Sequence, residues 1–457
     1  MVGIFPGIIL SLSFEPAGLW FCAPIAFALF FRGLKRTLHP YRFVFLFTFT
    51  FNAIVLYWTG KYVGSTPWIL LSLLQTLFYL PIALIYSKTR SLYILIPAFI
   101  ALDFLRSIAP FGGFGWTQVA FSQADAPYVN LVGVGGVALL TLCVLSLALL
   151  VIDRPKFFIL PVLLLLISPQ LLNNEVSSDE PLNFAAVQGN TPSVGLDFNG
   201  RAKAVFDLHV RESLKIDKEI DLIIWPENAA DIDPLVNVSM QDDVAEITRQ
   251  KLSPLLMGAV LNSREGLENA AILFSEDGKV SSIYVKRHLT PFGEYMPLRS
   301  LAEFVSPYAS SVSDFTPGSD LVIHNLEGEA LSSVICYEII DNQIVREAAK
   351  NSRAIIVLTN SATFAGTAES AQQLAITRIR AIESSRQIVS VSTVGISALI
   401  DQNGQVLSQT DENVAQILYG SVAFSDAKSF ANRLGGWATP LVLGLSCVLA
   451  WAYRKRR

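Results

Sequence analysis

The chain has 457 residues, 52 % of them hydrophobic and 16 % charged, and its mean hydropathy of +0.47 is too high for an ordinary soluble protein. A formal net charge of -4 and a pI near 5.7 give no electrostatic reason to expect nucleic acid as a partner. Of the four cysteines, Cys22, Cys143, Cys336 and Cys447, only Cys336 lies outside the apolar segments, so the globular region cannot form an internal disulfide.

The apolar excess fills the first 172 residues and one segment near the C-terminus. Runs at 4–13, 17–32, 41–59, 67–87, 92–106, 129–152 and 157–172, with an eighth at 435–453, predict about eight transmembrane helices. The first run is short for a bilayer core of about 30 Å. It also lacks the cationic start of a cleaved leader, and further apolar runs follow it. Arg32, Lys35, Arg36 and Arg42 lie in one connection, Lys88 and Arg90 in the next but one, Arg154 and Lys156 in the next but one again, and Arg454 to Arg457 form the tail. Short cytoplasmic loops collect Lys and Arg, so this alternation predicts cytoplasmic termini and an extracytoplasmic region between crossings seven and eight. The expected layout is a membrane domain at 1–172, a globular domain at 180–427 and a final transmembrane helix at 435–453.

Within the membrane domain, Asp103 and Arg106 fit either an interfacial pair satisfied on one helix face or a membrane-level binding element. The connection Ala109 to Asn130 carries Phe111-Gly112-Gly113-Phe114-Gly115-Trp116, which fits an aromatic belt or part of a lipid entrance. Gly133-Val134-Gly135-Gly136 has no strand before it and reads as close helix packing rather than a nucleotide fingerprint.

The globular region opens with a strand and turn over Asn183 to Asn190, then a helix near 199–214 and a strand ending at Trp225-Pro226-Glu227, where the proline is expected to stop it. After another helix come strands at 255–260 and 270–274, then a hairpin at Asp277-Gly278 whose return strand ends at Lys286. A strand at 331–335, a helix at 340–350, a strand at 354–359, a helix at 368–386, strands at 388–394 and 396–401 and a hairpin at Asn403-Gly404 follow. Helices alternating with strands and hairpins predict a stacked pair of mixed sheets covered by helices.

Reacting groups gather at the carboxyl ends of strands in such sheets. Three strand ends present Glu227, Lys286 and Cys336. A thiolate is the reactive form of cysteine and a nearby ammonium favours it, so Lys286 is expected to depress the Cys336 thiol. Glu227 then serves as base and Lys286 as oxyanion stabiliser, although Cys336 equally fits an inert core cysteine. The four histidines, His39, His209, His288 and His324, are scattered without metal-ligand spacing, there is no GxSxG elbow, and no cofactor is called for. His288 reads as a capping or packing residue.

Trp225-Pro226-Glu227, Lys286-Arg287-His288-Leu289-Thr290-Pro291-Phe292-Gly293-Glu294 and Cys336-Tyr337-Glu338 resemble the three motifs of the carbon-nitrogen hydrolase (nitrilase) superfamily. The form Lys-x-x-Leu-x-Pro-Phe-Gly-Glu beside membrane helices, with Phe14-Glu15-Pro16-Ala17-Gly18-Leu19-Trp20 near the start, resembles the apolipoprotein N-acyltransferase family. That resemblance implies an α-β-β-α sandwich and catalysis by Glu227, Lys286 and Cys336, with Glu294, Glu338 and Tyr337 in support. It implies an acyl thioester formed from a phospholipid and passed to the α-amine of a diacylglyceryl-cysteine apolipoprotein at a bacterial inner or plasma membrane. A membrane-anchored amidase of the same superfamily is the alternative. One segment departs from the family: Asn360-Ser361-Ala362-Thr363-Phe364-Ala365-Gly366 stands where Asn-Asp-x-Trp-Phe-Gly is common. The departure bears on the shape of the acyl or lipoprotein pocket rather than on the triad. Arg378, Arg380 and Glu383 match the family's Arg-x-Arg-Ala-x-Glu run and read as structural.

Overall fold

A computed structural model describes residues 3–61, 63–153, 180–192, 202–305, 309–310 and 312–454. The chain divides into two compact parts, one of residues 1–173 with 429–457 and the other of residues 174–428.

The first part is helical: α1 (Ile4–Ser11), α2 (Cys22–Arg36), α3 (Pro40–Val55), α4 (Ser65–Leu77), α5 (Leu80–Thr89), α6 (Leu95–Arg106) and α7 (Val132–Asp153). Among the described residues, three helical stretches are long and apolar enough to cross a membrane: Ser65–Thr89, Val129–Ile152 and Phe430–Tyr453. The expected run 157–172 lies outside the described residues. Several other runs yield helices shorter than a span. Eight residues in α1 rise only about 12 Å at 1.5 Å each, and α2 starts at Cys22 rather than 17 because Gly18, at φ +61°, sits in a turn.

Packing in this part follows from small and aromatic residues. A Cβ on Gly3 or Gly7 would come within 2.6 Å of the carbonyl oxygens of Phe43 and Phe47, so α1 meets α3 backbone to backbone. Phe27, Phe30, Phe47 and Phe99 stack around one point, with Phe30 and Phe47 centroids 4.5 Å apart. Asp103 and Arg106 are buried, and they satisfy each other on one face of α6. Arg106 pairs with Asp103 at 2.7 Å and donates to Tyr79, Gln75 and Thr117, and Tyr79 donates to Asp103 at 2.6 Å. Trp116 is buried against Trp58 at 5.0 Å, so the end of the aromatic loop belongs to the packed interior.

The second part holds β1 (Leu182–Gln188), α8 (Ala202–Leu214), β2 (Leu222–Ala230), α9 (Val238–Lys251), β3 (Leu255–Asn262), β4 (Leu267–Phe274), β5 (Val280–Val285), α10 (Arg299–Val305), β6 (Ile323–Leu326), β7 (Glu329–Ile335), α11 (Asn342–Asn351), β8 (Ala354–Thr359), α12 (Glu369–Ser384), β9 (Ile388–Ser392), β10 (Ala398–Ile400), β11 (Val406–Gln409) and β12 (Gln416–Val422). Beyond it, in the first part, lie α13 (Phe430–Leu434) and α14 (Ala438–Arg454). Gly135 in α7 approaches Val442 of α14, and a Cβ there would sit 3.2 Å from it, in keeping with the packing read from the glycines.

Two six-stranded mixed sheets form, ordered β12-β1-β2-β3-β4-β5 and β11-β10-β9-β8-β7-β6. Side chains alternate along each strand. Phe184, Ile224 and Leu256 face Leu331, Ile356 and Val389 of the other sheet, while Ala185, Ile223 and Met257 face Phe206 of α8 and Val244 of α9. With both faces covered, the central strands are continuous apolar runs. Two strands carried no sequence signal strong enough to be expected. β6 pairs with β7 across Glu327-Gly328, both at positive φ, and β12 closes the first sheet beside β1.

Proline does not stop the second strand. β2 continues to Ala230, and its register against β3 shifts between Trp225 and Ala230, so Pro226 sits in a bulge where a missing N–H costs no ladder bond. Gly258 allows this approach, since a Cβ there would lie 2.3 Å from the Pro226 carbonyl oxygen.

Candidate active site

Glu227 sits in the β2 bulge, Lys286 directly after β5, and Cys336 directly after β7. The first two come from one sheet and the third from the other. Lys286 is fully buried, with its Nζ 3.1 Å from Glu227 Oε1 and 2.8 Å from Glu294 Oε2. Asn269 of β4 ties the carboxylates together, donating from Nδ2 to Glu227 at 2.8 Å and to Glu294 at 2.6 Å. The structure therefore brings Glu227, Lys286 and Glu294 into one cluster.

Burial opposes charge on Lys286, yet the carboxylates of Glu227 and Glu294 outweigh it and push the ammonium's pKa up. Burial likewise opposes charge on Glu294, but Lys286 holds its pKa below the ordinary carboxylate range. For Cys336, burial comes first and raises the thiol, and the Glu227 carboxylate adds to it. Lys286 and a hydrogen bond from the Asn360 N–H pull the other way without prevailing. Lys286 does pull the thiol down, as expected, but the thiol stays protonated because a buried anion beside a carboxylate costs more than one ammonium returns.

Cys336 has φ +48°, in the left-handed region, where a non-glycine residue costs about 1–3 kcal/mol and persists only if its surroundings hold it. Glu338 supplies the hold. Its carboxylate accepts from the Tyr284 hydroxyl at 2.8 Å and from the backbone N–H groups of Arg287 at 2.7 Å, His288 at 3.1 Å and Ile335 at 2.8 Å. From the other side Arg380, paired with Glu383, donates to the carbonyls of Ile339 and Ile340 at 2.8 and 2.9 Å. Arg378 donates to the Gly404 carbonyl at 2.8 Å and steadies the β10–β11 hairpin. Tyr337 is buried with its ring edge-on to His288 at 5.3 Å, and His288 Nδ1 lies 2.8 Å from Asp341.

Sequence reasoning missed Asn269 and Glu369. An amide inside the apolar run of β4 is disfavoured in strands and was a usable signal. Glu369, the first residue of α12, stands in none of the motifs read from the sequence.

Chemically, one ammonium between two carboxylates leaves an excess negative charge that can take a proton. The neighbouring thiol has one to give, and the ammonium can receive charge that develops on a substrate oxygen.

A model described as the apolipoprotein N-acyltransferase N-terminal domain matches residues 6–150, and the carbon-nitrogen hydrolase model matches residues 184–432. A curated apolipoprotein N-acyltransferase of Mycolicibacterium smegmatis is 30 % identical over 89 % of this chain and 76 % of its own. One of Geobacter metallireducens is 27 % identical over 100 % of this chain and 95 % of its own. A solved CN-hydrolase superfamily protein from Xanthomonas campestris is similar over 58 % of this chain and 97 % of its own, at 16 % identity and a TM-score of 0.42. By its two matched domains and its kinship with the mycobacterial protein, this chain belongs to the apolipoprotein N-acyltransferase family, with a carbon-nitrogen hydrolase domain following its helical N-terminal domain.

Proposed function

We propose that this membrane protein moves an acyl chain from a phospholipid, through a thioester on Cys336, to the α-amine of a diacylglyceryl-cysteine at an apolipoprotein N-terminus. The observation that carries the catalytic reading is the buried Lys286 shared by Glu227 and Glu294, in electrostatic contact with the Cys336 thiol. Glu227 takes the thiol proton as sulfur attacks the ester carbonyl. Lys286 faces the oxyanion, a stabilisation of about 3 kcal/mol for a well-aimed donor. Collapse breaks the ester C–O bond, Glu227 returns its proton to the leaving alkoxide, and a lysophospholipid departs. The acceptor amine then attacks the thioester, the C–S bond breaks, and an amide and a free thiol result. Glu338 holds the lysine segment and the cysteine turn together, and Tyr337 packs that turn.

The same reading places about eight helices across a bacterial inner or plasma membrane, with residues 180–427 outside the cytoplasm between a domain at 1–172 and a crossing at 435–453, and with both termini inside. The basic residues of the short connections support this orientation.

Purified protein incubated with phospholipid should gain one acyl mass on Cys336, and a diacylated lipopeptide should then discharge it as a triacylated peptide. Cys336→Ala should do neither. Release of free fatty acid with no acylated peptide would assign the chain to the amidase alternative instead.

A further inference from the structure

Glu369 opens α12, is 3 % exposed, and has no assigned part in the chemistry above. Hydroxyls of Ser361 and Ser370 support its carboxyl group, but Oε2 has no hydrogen-bond partner. A buried carboxylate oxygen left open is costly and calls for a ligand.

Its surroundings point to the sulfur. Four residues on, Gln373 Nε2 reaches the Cys336 carbonyl at 3.5 Å, and residues four apart share one helix face. The charge of Glu369 acts on Cys336, and that of Glu227 acts on Glu369. The wall beside it admits no side chain: a Cβ on Gly395 would lie 2.2 Å from Ser370 Oγ and 2.9 Å from Ser361 Oγ. Foremost among the charged groups acting on Glu369 are the carboxylates of Glu227 on β2 and Glu412 between β11 and β12. An open, buried anionic oxygen beside the nucleophile, in a neighbourhood of carboxylates, is suited to a cation that arrives with the substrate.

The second half-reaction supplies one. An α-amine has a pKa of about 8 and is mostly ammonium at neutral pH, yet only the neutral amine attacks a carbonyl. Resting on the acyltransfer reading above, we propose that Glu369 is the acceptor-amine site: its open carboxylate oxygen docks the incoming α-ammonium and takes the proton that frees the nitrogen lone pair. The neutral amine adds to the thioester carbon, and the C–S bond breaks. The second N–H proton passes by way of Glu227 to the departing sulfur, and Glu369 gives its proton to solvent. Burial, reinforced by Glu227 and Glu412, raises Glu369 to about 7, close to the amine it serves.

The test separates the two half-reactions. With Glu369→Gln, the rate of Cys336 acylation from phospholipid should stay within about 3-fold of wild type. Transfer to a diacylated lipopeptide should fall about 100-fold at pH 7, the deficit shrinking above pH 8 where the amine is neutral unaided. Hydroxylamine, neutral at pH 7, should discharge acylated wild type and variant alike, and Glu369→Asp should recover part of the transfer. Wild-type transfer rates in Glu369→Gln would overturn this proposal alone, as would parallel losses with hydroxylamine and lipopeptide, which mark a distorted site. Loss of acylation in both variants would place Glu369 in the first step and overturn it too. If wild type never acylates Cys336, the acyltransfer reading itself falls, and this proposal with it.

Discussion

Glu338 accepts the backbone N–H of Arg287 at 2.7 Å, so the residue that follows the buried lysine is tied to the turn that starts at Cys336. The same carboxylate holds Ile335, the residue before Cys336. One side chain thereby fixes two strand ends from different sheets against each other. In the proposed mechanism, preorganisation of this kind would let Lys286 and the Cys336 thiol meet a reacting carbonyl without rearrangement at each turnover.

Glu338→Ala should leave the hydroxyl of Tyr284 and the N–H groups of Ile335, Arg287 and His288 without their acceptor in the interior. We expect a loss of about 3–5 kcal/mol, read as a lowered midpoint in chemical unfolding. Tyr284→Phe removes only one donor and should cost about 1 kcal/mol. Acyl transfer in Glu338→Ala, assayed where it is still folded, should drop at least about 100-fold, because Lys286 and Cys336 lose their common anchor. An unfolding midpoint equal to wild type would refute the anchoring role.

In the helical part, Arg106 is held by Asp103, Tyr79, Gln75 and Thr117. Arg106→Leu strands the Asp103 carboxylate in an apolar interior and should cost about 3–5 kcal/mol in detergent. Asp103→Leu should be similarly harmful. The double variant should lose clearly less than the sum, because no charge is left unpaired. Strict additivity in thermal unfolding would mean that the pair is not coupled.

Glu369 links site chemistry to pH-dependent stability. Its carboxyl rises from an unfolded value of 4.5 to about 7 in the fold, with burial the leading cause. Between those values the folded state binds more protons than the unfolded state, so this group lowers stability as pH rises through that window. Glu369→Gln should match wild type near pH 4. Its advantage should grow above pH 4.5 and level off above pH 7, reaching about 3 kcal/mol at most. Unfolding midpoints measured across that range would show no divergence if Glu369 titrated normally.

Much of the site was legible before folding because its motifs are local. Glu227, Lys286 and Cys336 each come at or after an apolar run, and Glu294, eight residues after Lys286, travels in the same motif, whereas the bulge that carries Glu227 and the meeting of residues from two sheets were not readable from those runs. Asn269 and Glu369 were not legible in that way. Each acts through space on partners far along the chain, Asn269 on a glutamate 42 residues away. The segment Asn360 to Gly366, where the chain departs from the family pattern, is also where Asn360 donates to the Cys336 sulfur and Ser361 supports Glu369.

By itself, the sequence determined where apolar segments give way to a mixed-composition region, that strands alternate with helices and hairpins there, and which residue types follow its apolar runs, because these depend on composition and short-range periodicity. Tertiary structure alone decided that two carboxylates share one ammonium, that the thiol rests protonated, that β2 bulges through its proline, and that Asp103 and Arg106 are interior. The physical reason is the same in each case: proton affinity and the cost of a buried charge are set by desolvation and by distances between residues far apart in the chain, and those exist only once the two sheets and the helices have packed.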